Sequence, residues 1–236
     1  MTDQSALQIA TGVATQGYLK ALALYRLGGV HIDGVRRILE LCLQLVDLRL
    51  AATTPSGGLF SDFAKTRPHR CLRLRWLTYW GRTDVLSDFL SNLCLPFLER
   101  LDLKVCKGAP LVASKRAGFR LFPKLSHLSI SGDFKLGVVS AQALRKCVKL
   151  RILQLDSDLK EDVVSALVDG LSSRLVELQI GRVPEQCTDL IARRFIRLRR
   201  LWMKNAEAVG VRRRINAISN ALVAPLQTTN FFQSFQ

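Results

Sequence analysis

The phrase L-x-x-L-x-L occurs eight times along this chain. It reads "LKALAL" from Leu19, "LVDLRL" from Leu45, "LRWLTY" from Leu74 and "LERLDL" from Leu98. It continues as "LSHLSI" from Leu125, "LRILQL" from Leu150, "LVELQI" from Leu175 and "LRRLWM" from Leu198. The copies start 26, 29, 24, 27, 25, 25 and 23 residues apart. The three apolar positions hold Leu, Ile, Met or, once, Tyr79. A spacing of three and then two fits neither an uninterrupted helix nor an uninterrupted strand. The last two apolar residues alternate, so they share one face of a short strand, and the first enters from the preceding turn. No single strand can bury such a face alone. The copies must stack side by side to share a core.

Some segments between the copies carry a helical stripe. Val35, Ile38, Leu39 and Cys42 fall at i, i+3, i+4 and i+7, as do Leu86, Phe89, Leu90 and Leu93. Val163, Ala166, Leu167, Gly170 and Leu171 extend the same period. Asp33, Thr83 with Asp84, and Asp158 with Glu161 supply start signals, the last at capping-box spacing. Residues 55–70 and 107–123 have no clean period and are expected as loops.

The chain is long enough for a sizeable core, and 48% of its 236 residues are apolar, which excludes a disordered chain. Six cysteines without a C-x-x-C pair, in a chain this rich in leucine, are expected to be reduced thiols in an intracellular protein, cytoplasmic or nuclear. The N-terminus has no positive region followed by an apolar run, so no signal peptide is expected. No apolar stretch is long enough to span a membrane.

The period and phrase resemble the leucine-rich repeat. Cys42, Cys71 and Cys147 stand three residues before a copy's first leucine, and Cys106 closes the nine-residue phrase. This is similar to the cysteine-containing class found in F-box leucine-rich-repeat proteins, while the long period resembles the ribonuclease-inhibitor class. The resemblance implies an α/β right-handed solenoid, with a parallel sheet on the concave face and helices on the convex face. It implies a substrate-binding arm of a ubiquitin-ligase-type protein, although no F-box is seen. Two features depart from the family. Only Cys106 fills the ninth position as the family prefers, with Asp133 and Asp158 as candidate substitutes, and the residues before Leu19 are too few for an F-box. The expected organisation is a leader or partial cap helix over 1–18, eight repeats over 19–206, a terminal helix over 207–224 and a disordered tail over 225–236.

Catalysis needs clustered polar side chains, and the sequence shows none. "HRC" at 69–71 lacks a second ligand pair for zinc, and "GVATQG" at 12–17 lacks the Lys and Ser/Thr of a phosphate loop. The expectation is a non-enzyme with no metal, cofactor or small-molecule substrate.

In such a solenoid, positions 3, 5 and 7 of each copy line the concave face. All three tryptophans fall there, Trp76, Trp80 and Trp202, with Tyr25 at position 7 of the first copy. Aromatic residues and arginine dominate binding hot spots. Trp76 and Trp80 are the expected anchors for a protein partner, with Arg49, Arg100, Lys104 and His127 supplying selectivity. The same rings would also serve to pack on neighbouring strands, and Trp202 would serve to cover the last coil.

The net charge is +16, which favours a partner with an acidic surface. Much of the excess gathers just before the strands, at Arg145, Lys146, Lys149, Arg193, Arg194 and Arg197. Two readings stay open for this edge. Cations there complement helix dipoles and keep the chain soluble; alternatively they bind nucleic acid or an anionic surface. A third reading takes the chain as a fragment without independent function.

Overall fold

The computed structural model describes residues 18–25, 42–51, 69–70, 73–81, 93–105 and 122–204, together with residues 8 and 12. Ten strands follow in order: β1 (Ala21–Tyr25), β2 (Asp47–Ala51), β3 (His69–Arg70), β4 (Trp76–Gly81) and β5 (Leu93–Cys94), then β6 (Arg100–Val105), β7 (His127–Gly132), β8 (Ile152–Leu155), β9 (Glu177–Ile180) and β10 (Arg200–Met203). Each of the eight leucine phrases starts a strand at its third residue. These eight strands form one parallel sheet in the order β1-β2-β4-β6-β7-β8-β9-β10. Every strand therefore pairs with the strand of the next phrase. Like positions stand in register: Leu77 lies between Leu48 and Leu101, and Leu128 between Leu101 and Leu153.

Parallel pairing requires a long crossover, and the twenty-odd residues between phrases supply it. Three crossovers carry helices among the described residues: α1 (Val138–Leu144), α2 (Glu161–Leu171) and α3 (Glu185–Arg194). They pack side by side, α1 on α2 and α2 on α3. The chain is thus α/β, with a single eight-stranded all-parallel sheet carrying these helices on one face.

The core lies between the sheet and the helices. The phrase leucines are buried from β2 to β9, and Tyr79 substitutes for a leucine without leaving the core. From the helices, Val163, Val164, Leu167, Val168 and Leu171 of α2 and Cys187 and Ile191 of α3 join the same cluster. At the two ends Leu22, Leu201 and Met203 are only half-buried, and among the described residues β1 and β10 each pair with a strand on one side.

A fourth apolar position, three residues before the first leucine, completes five of the repeats; before Leu175 the slot holds Ser172 instead. In the five it holds Cys42, Leu95, Phe122, Cys147 or Phe195, all buried. Its carbonyl accepts the leucine's N–H at 3.0–3.1 Å, as in Leu45→Cys42 and Leu98→Leu95, which closes a tight turn. The cysteines expected there, Cys42 and Cys147, are not joined in a disulfide and act as small apolar plugs, with the Cys147 thiol pushed up to about 12 by burial.

Close approach between neighbouring coils fixes some backbone positions. Gly132 adopts φ +97, and a Cβ there would collide with the Val105 carbonyl of the preceding coil. Asp158, at the ninth position of its phrase, accepts the Arg182 N–H of the next coil at 3.0 Å.

The structure corrects two expectations. Asp158 does not cap α2; the N-cap is Lys160, without a side-chain bond, and the Asp158 carboxylate is committed to Arg182 instead. Helices α1 and α3 add to the helical segments that the sequence named one by one. Residues 69–70 are not simply loop: as β3 they pair in parallel with β5, forming a second, two-stranded sheet. The stripes over 35–39 and 86–92, the loop over 107–121, and the helix and tail beyond residue 204 lie outside the described residues, as does the leader except at positions 8, 12 and 18. Among the described residues no helix is long and apolar enough to cross a membrane.

Candidate recognition face of the sheet

The strand pleat that buries positions 4 and 6 turns positions 3, 5 and 7 to the opposite face. In-register pairing arranges them in three rows across the sheet. The first runs Ala21, Asp47, Trp76, Arg100, His127, Ile152, Glu177, Arg200. The second runs Ala23, Arg49, Thr78, Asp102, Ser129, Gln154, Gln179, Trp202. The third begins Tyr25, Ala51, Trp80, Lys104, Ser131. Eight strands at about 4.8 Å spacing make a face roughly 34 Å long.

The aromatic rings expected on this face are there, and they are exposed. Trp76 retains 49% of its surface, Trp80 43%, Trp202 46% and Tyr25 60%. Trp76 and Trp80 stand on β4, one strand rise of about 13 Å apart. Lys104 on β6 places its Nζ 4.4 Å from the Trp80 ring centre, a cation–π contact. On the other side of Trp80, its registered neighbour is Ala51, which is buried, and Tyr25 follows. Two aromatic side chains therefore flank a small side chain, roughly 10 Å apart across two strand spacings. Ala51 was not singled out from the sequence, because only the register shows what stands on either side of it.

The charged residues of the face largely neutralise one another. Arg49 Nη2 lies 2.9 Å from Asp47 Oδ2, and that hydrogen bond, with a smaller contribution from Tyr25, raises the guanidinium pKa. Arg100 Nε donates to Asp102 at 2.7 Å. Glu177, buried, accepts from Gln154 Nε2 at 3.2 Å and pairs with Arg200 at 3.1 Å. Lys204 pairs with Asp156. Five cations stand against four carboxylates, so the net charge of +16 does not reside here. In each pair the cation is largely exposed, and the exposed pairs contribute about 0–1 kcal/mol each. They fix side-chain positions more than they stabilise the fold.

His127 stands apart from its expected role as an open polar contact. Its side chain is largely covered, and Nε2 lies 3.7 Å from Asp102 Oδ1, beyond hydrogen-bond reach. Both atoms are buried without a hydrogen bond. Desolvation first, and then the Arg100 charge, lowers the imidazole pKa from its ordinary value of 6.5, against the raising influence of Asp102 and Glu177. Below pH 6.5 the unfolded chain then takes up a proton that the folded chain resists. Stability is expected to fall as pH drops from about 6.5 through the folded-state pKa. Urea unfolding between pH 7 and pH 5 should show this slope, and His127→Asn should flatten it.

The six cations expected at the edge are all exposed. Arg145 and Lys146 follow α1, Arg193 and Arg194 end α3, and Lys149 and Arg197 occupy the tight turns before β8 and β10. Arg193 approaches Asp189 at 4.0 Å. Arg174, a further edge cation, is structural: its guanidinium donates to the Arg145 and Gly170 carbonyls at 2.6 and 2.8 Å. Among the described residues no cluster of three or more His, Cys, Asp or Glu side chains could hold a metal. No family model matches the chain, and no curated protein matches it.

Proposed function

We propose that the chain is a right-handed leucine-rich-repeat solenoid that recognises another protein, without catalysis, through the face lined by Trp76 and Trp80. The observation that carries this reading is the exposure of four aromatic side chains on a face whose opposite side buries nearly every leucine. Exposed indole is costly to leave in water and rewarding to cover. The near-neutral charge of the face favours a partner that presents apolar or aromatic side chains rather than a polyanion. A side chain entering between Tyr25 and Trp80 would meet Ala51 at the floor. The roughly 34 Å length suits an extended segment or a standard interface of about 800 Å² per partner.

By its resemblance to F-box leucine-rich-repeat proteins, the chain would serve as the substrate-binding arm of an intracellular ubiquitin ligase. Buried, unreactive cysteines at Cys42 and Cys147 suit a reducing compartment. The test is affinity capture from the chain's own cells at low and high salt, with Trp76→Ala/Trp80→Ala alongside. A defined protein that survives high salt and is lost with the variant supports the reading. Capture unchanged by the variant refutes it. Co-recovery of an F-box adaptor would extend it to the ligase role.

A further inference from the structure

The tight turns before the strands have a second property. The buried plug and the leucine hold these turns at both ends, and in each at least one of the two central residues is exposed. Since the strands are in register, these turns stand in rank along one edge of the sheet, one or two strand spacings of about 4.8 Å apart. Soluble turns ordinarily fill such sites with polar residues. Here Leu43 is 69% exposed, Val148 60% and Ile196 68%. Phe97 shares the rank and lies under Lys124, whose Nζ is 4.0 Å from its ring centre. In the turns before β8 and β10, the aliphatic residue is followed directly by a cation, Lys149 or Arg197.

Helix dipoles account for Arg145, Arg193 and Arg194, which lie at helix C-terminal ends. They do not account for Lys149 and Arg197, which belong to turns, nor for exposed aliphatic residues beside them. A nucleic acid would neutralise the cations but gain nothing from Val148 or Ile196. A protein interface prefers a contiguous apolar centre with a polar rim, whereas here Val148 and Ile196 stand in separate turns, each directly beside a cation. An anionic bilayer uses both features: separate apolar side chains enter the headgroup boundary while the cations meet phosphate.

We propose that this turn edge docks the protein on an anionic phospholipid surface, peripherally, with Val148 and Ile196 entering the boundary and Lys149 and Arg197 binding headgroups. The residues differ from those of the aromatic face, so either site can fail without the other.

The test is co-sedimentation with phosphatidylcholine vesicles containing about 30 mol % phosphatidylserine at physiological salt, beside pure phosphatidylcholine vesicles and duplex DNA. The chain is expected to sediment with the anionic vesicles and not with the neutral ones. Lys149→Glu/Arg197→Glu should lower that partition about tenfold or more. Val148→Ser/Ile196→Ser should lower it about fivefold and leave DNA binding unchanged. All four residues are exposed, and thermal melts of both variants check that the fold is kept. Failure to sediment with the anionic vesicles, or equal binding to neutral ones, overturns the proposal. So does unchanged vesicle binding by the serine variant, which would assign the edge to polyanions in general.

Discussion

Replacing Trp76 and Trp80 by alanine should weaken partner binding by about 100-fold or more while leaving the fold intact. The two effects separate because the rings are about half exposed. Each indole keeps enough free surface for a partner to bury, and hot-spot aromatic residues typically lose 2 kcal/mol or more on truncation. The effects of two neighbouring anchors do not add fully, so a combined loss of about 3–4 kcal/mol is the reasonable expectation. The folded chain by contrast loses the cation–π contact of Trp80 with Lys104, on the order of 0.5–1 kcal/mol, and some partial burial. Calorimetric titration with the captured partner measures the first quantity, and urea unfolding the second. A large loss of stability with the loss of binding would mean that the rings hold the sheet together instead.

Leu128→Ala should destabilise the protein by about 3–4 kcal/mol, and Leu201→Ala by about 1–2 kcal/mol or less. The chemistry is the same at both sites, and only the place in the stack differs. Leu128 is fully buried on β7, with Leu101 on one side and Leu153 on the other. Truncating it leaves a cavity that two neighbouring coils must both accommodate, and close-packed leucines collapse only partially. Leu201 on β10 is half-buried, and its registered neighbour among the described residues is Leu178. In a one-dimensional stack each coil is stabilised by its neighbours, so central losses exceed terminal ones. Denaturant midpoints for the two variants decide the matter. Equal costs would show that the core is not organised coil upon coil.

The eight strands were legible because one phrase encodes both halves of the geometry. Its alternation at positions 4 and 6 marks the buried face, and its recurrence makes the strands neighbours. The outward face followed from the same alternation, and Trp76, Trp80 and Trp202 are exposed on it. The turn plug was only partly legible. It was noticed where it is cysteine, at Cys42 and Cys147, but Leu95, Phe122 and Phe195 fill the same slot with different chemistry. Helix α3 buries little beyond Cys187 and Ile191, a stripe too thin to stand out from its charged surroundings. Helix α1 is two turns long and begins with two valines, whose intrinsic preference is for strands. The Asp158–Glu161 spacing imitates a capping box, yet Asp158 bonds across to the Arg182 N–H of the next coil. A local pattern cannot report a partner 24 residues away. Ion pairing was hidden for a similar reason. Arg200 with Glu177 and Lys204 with Asp156 meet only because their strands share one sheet.

The most direct test of the recognition face places a photo-crosslinking residue at position 78, in place of Thr78. That position lies between Trp76 and Trp80 on β4. The same residue at Gln142, exposed on α1, serves as the comparison. Irradiation in the chain's own cells, followed by mass spectrometry, is expected to give one defined protein adduct from position 78 that is absent from position 142. Adducts of equal yield and identity from both positions, or none from position 78, would contradict the account.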